Sequence, residues 1–103
     1  MKIRWNSSAR ADMRQVARYV NKKFGRKARQ EFMQRVKDAE KRIATQPNIG
    51  IIDPLYADRP MTYRSVIING LNKMVYRIDG DIIYVVDFWD TRREPVSQAA
   101  QTD

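Results

Sequence analysis

The stretch from residue 72 to residue 89, NKMVYRIDGDIIYVVDFW, decides the fold of this chain. It is rich in Val, Ile and Tyr with a period of two, and the Asp79-Gly80 pair inside it is a strong hairpin signal. Upstream, Asn69-Gly70 marks a second hairpin turn of the same kind. The pattern predicts a three-stranded antiparallel meander with the strands Met61–Asn69, Asn72–Asp79 and Asp81–Trp89.

The residues before this meander follow a helical period instead. Apolar side chains three and four residues apart predict one helix up to about Phe24 and a second from Arg26 to Thr45, with Gly25 between them. A short strand, Lys2–Trp5, precedes the helices, and the proline-rich residues 47–60 are predicted to form an irregular connection. The order βααβββ indicates an α+β fold, in which a helical hairpin packs on one face of a small, mainly antiparallel sheet.

A chain of 103 residues is short enough for one domain, which we expect to span residues 1–96. Residues 97–103 have no periodicity and are expected to form a mobile tail. The sequence has no run of about 18 apolar residues, and its first residues lack the apolar region of a signal peptide. These features predict a cytoplasmic protein with no membrane contact.

The composition excludes several kinds of chemistry. Twenty Lys and Arg residues against 12 Asp and Glu residues give a net charge of +8, and there is no His and no Cys. The chain therefore has no disulfide framework, no zinc site of the Cys/His kind and no Ser-His-Asp triad. We expect no metal ion and no cofactor, and any acid–base chemistry must use Asp, Glu, Lys, Arg or Tyr.

The positive charge is concentrated in the first half of the chain. Residues 1–48 have 14 Lys or Arg against 4 Asp or Glu, whereas residues 49–103 have 6 against 8. A basic block of this kind suggests a nucleic acid, an acidic protein or a membrane surface as partner. Within the predicted first helix, one outer stripe repeats every fourth residue and consists of Arg10, Arg14, Arg18 and Lys22.

The middle strand of the meander has one mixed face and one apolar face. Alternation places Lys73, Val75 and Arg77 on the mixed face, with Met74, Tyr76 and Ile78 on the apolar one. The apolar face would pack on the helices. The mixed face would stay partly open, and its two cations predict an anion-binding groove.

Several sequence elements follow one another in an order that is typical of one superfamily. They are IRW at 3–5, an Ala-rich amphipathic helix at 9–19, the spacing of Phe24, Phe32 and Val36, PNIG at 47–50, YR at 63–64, MVYRIDGDIIYVVDF at 74–88 and DTRREP at 90–95. Over residues 2–95 the chain resembles the RelE/ParE superfamily, the toxins of bacterial type II toxin–antitoxin modules, which include plasmid stabilisation proteins. No single element is specific, but the series in this order is.

The resemblance implies both the fold and the biological role. Such toxins have the βααβββ order, inhibit bacterial growth, and are held inactive by a co-expressed antitoxin whose C-terminal segment wraps them. The antitoxin usually carries the DNA-binding domain, so operator DNA would be contacted only through it. We expect the antitoxin to cover the helical hairpin and the sheet, with contacts at Trp5, Arg14, Arg18 and Trp89.

Two target classes remain open, and the first is cleavage of mRNA on the ribosome. The RelE-type members are nucleases, and RNA cleavage needs a proton acceptor, a proton donor and cations around the phosphate. Here NKMVY at 72–76 stands where those nucleases have a motif like HRLVY, and no His is present to serve as the acid. If the chain is an mRNA endoribonuclease, its site is atypical, and its candidate residues are Asp53, Arg64, Lys73, Arg77, Arg92 and Arg93.

The second target class is DNA gyrase, which ParE-type members poison by binding. The P-x-x-G at 47–50, the Y-R-x-D-G-D-x-I at 76–83 and the Arg92-Arg93 pair match the ParE-type pattern better than the nuclease pattern. In this interpretation, the target-binding residues are Arg64, Lys73, Arg77, Arg92 and Arg93. A third hypothesis is a small nucleic-acid-binding module without toxicity.

Overall fold

The computed structural model describes residues 1–90 and contains two helices and five strands. In chain order the elements are β1 (Lys2–Trp5), α1 (Ser7–Phe24), α2 (Arg26–Thr45), β2 (Ile51–Ile52), a 3₁₀ turn (Pro54–Tyr56), β3 (Tyr63–Ile67), β4 (Asn72–Asp79) and β5 (Ile82–Asp90). The predicted α+β fold with two helices before the meander is confirmed. The predicted tail at 97–103 and the Arg92-Arg93 pair lie outside the described residues.

The five strands form one sheet in the order β1-β5-β4-β3-β2. Only β1 runs parallel to its neighbour, β5, and the other three pairings are antiparallel. The sheet is therefore mainly antiparallel, as predicted, because the hairpin turns at Asn69-Gly70 and Asp79-Gly80 reverse the chain. Both glycines have positive φ, 85° at Gly70 and 62° at Gly80, which glycine adopts readily.

The helices begin and end where their capping residues are. Asn6 lies before α1, and its side-chain Oδ1 accepts a hydrogen bond from the backbone N–H of Ala9 at 2.8 Å. Gly25, with φ of 98°, separates α1 from α2. Neither helix is long and apolar enough to cross a membrane, and the same holds for every helix within residues 1–90.

One face of the sheet packs on the helical hairpin and forms the main core. The helices contribute buried residues of their predicted apolar stripes, which are Ala9, Met13, Ala17, Phe32, Val36, Ala39 and Ile43. The sheet contributes Val66, Ile68, Met74, Tyr76, Ile83, Val85 and Phe88. The prediction that Met74 and Tyr76 face the helices is confirmed.

The connection between α2 and the meander is more ordered than the sequence predicted. Residues 47–60 contain a two-residue strand, β2, and the 3₁₀ turn, whose first residues are capped by the Asp53 side chain accepting from Leu55 N at 3.0 Å. The sequence could not show β2, because two residues are too few to establish an alternation. The first meander strand is also shorter than predicted: it covers Tyr63–Ile67 rather than Met61–Asn69.

A β-bulge in β5 changes which side chains face the helices. Val75 pairs with Asp87 and Tyr76 with Val85, so Val86 is an extra residue without a partner on β4. Strict alternation from Val85 would place Asp87 in the helix-side core. Because of the bulge, Phe88 lies there instead.

The second face of the sheet is partly covered. A smaller apolar cluster lies on it, and its buried members are Tyr56, Tyr63, Val75, Val86 and Trp89. Tyr56 comes from the 3₁₀ turn and is 1% exposed, so this turn covers the middle of the face that the sequence predicted to be partly open. Lys73 and Arg77, the two cations of β4, therefore differ in how accessible they are to a partner.

Candidate binding site

Lys73 and Asp53 form a buried ion pair. Lys73 Nζ lies 2.6 Å from Asp53 Oδ2, and their side chains are 12% and 1% exposed. The same Nζ lies 4.5 Å from the centroid of the Trp89 ring, which is a cation–π distance. Both charged groups are therefore neutralised inside the protein, and neither is presented to a ligand.

Arg77 shares the face of Lys73, as predicted, but the two cations do not form one groove. Four residues of strand separate them by about 13 Å. The Arg77 guanidinium lies 4.7 Å from the centroid of the Tyr84 ring and 3.7 Å from Asp79 Oδ2, a carboxylate that is 62% exposed. Arg77 is thus held by an aromatic ring and by one loose, solvated ion pair.

Arg64 supports the loop at 47–50. It lies on β3 opposite Tyr76, and its Nη1 donates to Gly50 O at 2.9 Å and to Asn48 O at 3.3 Å. The Tyr76 hydroxyl donates to Pro47 O at 2.6 Å and accepts from Gly50 N at 3.0 Å. Two side chains of the sheet therefore fix the backbone of this loop.

The same contacts explain the P-x-x-G element at 47–50. A Cβ added at Gly50 would lie 2.7 Å from the Tyr76 hydroxyl and 3.0 Å from Ser65 O, so the close approach requires glycine. Burial raises the pKa of the Tyr76 hydroxyl above its ordinary value of 10.0, while the hydrogen bond from Gly50 and the charge of Arg64 act in the opposite direction. Tyr76 therefore works here as a neutral structural group.

An open cleft of about 360 Å³ lies where β3 begins and β4 ends. We call it the arginine cleft; the described residues that line it are Asn48, Met61, Thr62, Arg64, Arg77 and Ile78. Two of the five predicted target-binding residues line it, but their side chains lie on opposite faces of the sheet: Arg64 is opposite Tyr76 on the helix side, and Arg77 is opposite Tyr63 on the other side. Lys73 lies elsewhere on β4, and Arg92 and Arg93 lie outside the described residues.

The arginine cleft can bind an anion, but its described lining offers no proton acceptor that is positioned for catalysis. A guanidinium group is a donor only, in a fork that suits a carboxylate or a phosphate. The Asp79 carboxylate contacts Arg77 but is largely exposed to solvent, so its position is not fixed. Asp53, the one acid among the sequence candidates, binds Lys73. Asp87, a further buried acid, accepts from Tyr56 Oη at 3.0 Å and from Phe88 N at 2.9 Å. Within residues 1–90 no three acidic side chains lie close enough to hold a metal ion.

The predicted antitoxin contacts lie on β1, α1 and β5 rather than on β2. Arg14 and Arg18 are exposed on α1, and Trp5 on β1 is half-buried, with its Nε1 donating to Glu40 Oε2 at 3.1 Å. Trp89, in contrast, is only 2% exposed and contributes to the second core. A partner on this side would therefore meet Trp5 and the arginines more readily than Trp89.

One exposed feature was not predicted. The isoleucines of the β2 edge are exposed to 40% at Ile49, 71% at Ile51 and 60% at Ile52. The sequence carried a signal for them, because IGII at 49–52 has no charged residue in a chain where 31% of residues are charged. The prolines and the glycine in residues 47–60 predict only an irregular connection, and such a prediction says nothing about exposure.

The fold is that of a small α+β protein with a helical hairpin on one face of a five-stranded sheet. The sequence profile described as "ParE toxin of type II toxin-antitoxin system, parDE" matches residues 3–95, so the chain belongs to the ParE toxin family. The predicted RelE/ParE toxin of a type II module, with an antitoxin as partner, is thereby confirmed at the level of the family.

A solved structure shows the same fold. The chain is similar to a protein of the "Chromosomal ParDE TA system from P. aeruginosa", with a TM-score of 0.70 and 18% sequence identity, over 87% of this chain and 95% of that chain. At this identity the likeness supports the fold alone. No curated protein sequence matches the chain.

Proposed function

We propose that this ParE-family toxin stops bacterial growth by binding DNA gyrase in the cytoplasm, without catalysing a reaction itself, and that its antitoxin prevents this binding. The family membership supports a toxin of this type. The choice of gyrase over mRNA rests on the chemistry that the folded residues can perform.

The observation that carries the proposal is the ion pair between Lys73 and Asp53. Lys73 stands where the related nucleases have an arginine, and Asp53 is the candidate acid before the Pro-Leu pair. At 2.6 Å and with side-chain exposures of 12% and 1%, the two groups neutralise each other. A ribonuclease would need them to face the substrate.

The remaining cations fit binding better than cleavage. Arg64 has two of its hydrogen bonds inside the protein, to Gly50 O and Asn48 O, and Arg77 lies against Tyr84. Cleavage of RNA requires a base and an acid near the phosphate, whereas inhibition by binding requires only a complementary surface. The arginine cleft supplies charge and shape for the second task.

The test is expression of the chain without its antitoxin, combined with assays on the purified toxin. We expect arrest of growth with induction of the SOS response, intact mRNA, and inhibition of supercoiling by purified gyrase. Early loss of translation with cut mRNA would establish the nuclease alternative instead. Normal growth at confirmed expression would refute both toxin hypotheses and leave the non-toxic nucleic-acid-binding module as the alternative.

A further inference from the structure

The net charge of the chain lies on its two helices. Together α1 and α2 contain 12 Lys or Arg against 4 Asp or Glu, a balance of +8. The rest of the sequence has 8 residues of each sign, so its balance is zero. All 12 cations of the helices are exposed. The helical hairpin therefore carries the whole positive excess of the chain at its surface.

The protein itself does not neutralise these helical cations. None of them forms an ion pair with another residue within residues 1–90, whereas the cations of β4 do. Two acids of α2 are bound by uncharged groups instead: Asp38 Oδ1 accepts from Gln34 Nε2 at 2.9 Å, and Glu40 Oε2 accepts from Trp5 Nε1 at 3.1 Å. The charge of the hairpin is therefore available to an anionic partner.

The outer sides of the two helices form one basic surface. At 3.6 residues per turn, one stripe on each helix lies opposite the residues that the helix buries against the sheet. The two helices contact each other, so the stripes run side by side. We call the two stripes together the basic face; it consists of Arg14, Arg18 and Lys22 on α1 and of Lys27, Gln30, Gln34, Lys37 and Lys41 on α2.

The composition of the basic face is that of a phosphate-binding surface. Tyr19 and Phe24, the exposed large apolar residues of α1 and α2, belong to neither stripe. The centres of protein–protein interfaces are depleted in charged residues, and Lys is depleted throughout, whereas protein–DNA interfaces are much more positively charged. Helices that lie on a membrane surface insert apolar side chains, which the basic face lacks. A nucleic acid therefore fits it better than a protein or a membrane.

The dimensions of the basic face match a DNA duplex. The 18 residues of α1 and the 20 residues of α2 give lengths of about 27 and 30 Å, which correspond to about eight or nine base pairs. Packed helices have axes about 8–10 Å apart, and the grooves of duplex DNA are about 6 and 12 Å wide. Two rows of cations at this spacing can each contact the phosphates of one strand.

We propose that the basic face binds the phosphate backbone of duplex DNA without regard to sequence. Its Lys and Arg side chains donate to phosphate oxygens and displace the counterions of the duplex. The binding of a double helix rests on the charge, the composition and the dimensions of the face. The choice of DNA over RNA rests on the proposed function, because gyrase acts on duplex DNA. The contact holds the toxin on the DNA that gyrase binds.

The experiment measures the affinity of the purified full chain for a labelled duplex of about 20 base pairs by fluorescence anisotropy. The titration is repeated from about 50 to 200 mM salt, where phosphate contacts change affinity strongly. One variant, Lys37→Gln/Lys41→Gln, removes two charges from the α2 stripe. A second variant, Arg14→Gln/Arg18→Gln, removes two from the α1 stripe. Glutamine is a good helix former, so both variants keep the helices.

The matched control is Lys2→Gln/Arg4→Gln. It removes the same number of charges from exposed residues of β1. Ile3 and Trp5 pack against the main core on the helix side, so the alternating Lys2 and Arg4 face the other side of the sheet. The control therefore separates the basic face from the net charge of the chain.

We expect each variant of the basic face to weaken duplex binding about tenfold or more at the lowest salt concentration. The slope of log affinity against log salt concentration should become shallower by about 1.8, which is 0.9 for each of two lost phosphate contacts. The control should change the affinity less than about twofold and leave the slope unaltered, because charges more than about 10 Å away are screened.

Three outcomes overturn the proposal. The first is that the unaltered chain does not bind the duplex, and the second is that the control loses as much affinity as the variants of the basic face. The third is tighter binding of another polyanion at the same salt concentration: poly-glutamate would indicate an acidic protein, and single-stranded DNA or duplex RNA would refute the choice of duplex DNA.

A supercoiling assay with purified gyrase, run in parallel, separates this proposal from the proposed function. Duplex binding through the basic face without inhibition of gyrase supports the face and refutes the proposed function. Inhibition of gyrase without duplex binding supports the proposed function and overturns the basic face. If both proposals hold, the two variants should also inhibit gyrase less strongly than the control does.

Discussion

Replacing Lys73 by Met is the most direct test of the buried ion pair. The change removes the ammonium group but keeps a side chain of similar length against Trp89. Among residues 1–90, Asp53, whose side chain is 1% exposed, would then keep the hydrogen bond from Leu55 N but no compensating charge. Breaking a buried pair in this way costs about 3–5 kcal/mol. A domain of this size has a total stability of about 5–15 kcal/mol, so the loss is large.

The partner substitutions give the magnitude an internal control. Asp53→Asn should cost about 1–3 kcal/mol, because the Lys73 side chain is 12% exposed and its ammonium group stays over the indole ring of Trp89. The double variant Lys73→Met/Asp53→Asn should cost no more than about 3 kcal/mol, since no unpaired charge remains. The double variant should therefore be more stable than Lys73→Met alone.

Urea denaturation followed by circular dichroism measures all three variants. For 103 residues the entropy of unfolding is about 0.2 kcal/mol per degree, so a loss of 3 kcal/mol lowers Tm by roughly 14 °C. A loss of unfolding free energy below about 1 kcal/mol for Lys73→Met would refute the reasoning. A double variant whose loss equals the sum of the two single losses would refute it as well, because Lys73 and Asp53 would then not be coupled. In the folded double variant we expect gyrase inhibition to persist, whereas a nuclease that used these residues would be inactive.

Three further changes address the loop at 47–50 and the first helix. Gly50→Ala should lower stability by about 1–3 kcal/mol in urea titrations, because its Cβ would lie 2.7 Å from the Tyr76 hydroxyl. Tyr76→Phe should cost about 1–3 kcal/mol, since Pro47 O and Gly50 N lose their partner. Burial raises the pKa of the Tyr76 hydroxyl in the folded state. The contribution of Tyr76 to the stability of the fold is therefore complete below pH 10 and decreases as the pH rises further. Over that range the stability of Tyr76→Phe should decrease less than that of the unaltered chain. Asn6→Ala should cost about 1 kcal/mol through the lost helix cap, and a thermal melt with no shift would contradict this role.

Periodic features of the sequence predicted most of the fold. The alternation in 72–79 separated Met74 and Tyr76 from Lys73 and Arg77, and the structure places them on opposite faces of β4. Glycine with positive φ ended α1 and closed both hairpins, so the order of the elements could be derived locally. Such features depend on neighbours within a few residues, which is why the sequence alone contains them.

The candidate site was harder to predict, because its geometry depends on contacts between distant residues. Lys73 and Arg77 looked equivalent on the strand, but Asp53, twenty residues before Lys73, pairs with one of them and not with the other. The extra residue at Val86 has no signature in the sequence, since Val fits either face of a strand. Strict alternation from Val85 would therefore place Asp87 and Trp89 on the helix-side face, whereas the bulge puts them on the opposite face.

The missing histidine and the buried pair bear on the same question from different sides. The sequence has no His to serve as the acid, and the pairing of Asp53 with Lys73 engages two of the six candidate nuclease residues with each other. Within residues 1–90, Arg64 and Arg77 are candidate residues that the Lys73–Asp53 pair does not engage, and a guanidinium group can bind an anion but does not serve as a proton acceptor. The chemistry of these described residues therefore favours the proposed inhibition by binding over cleavage.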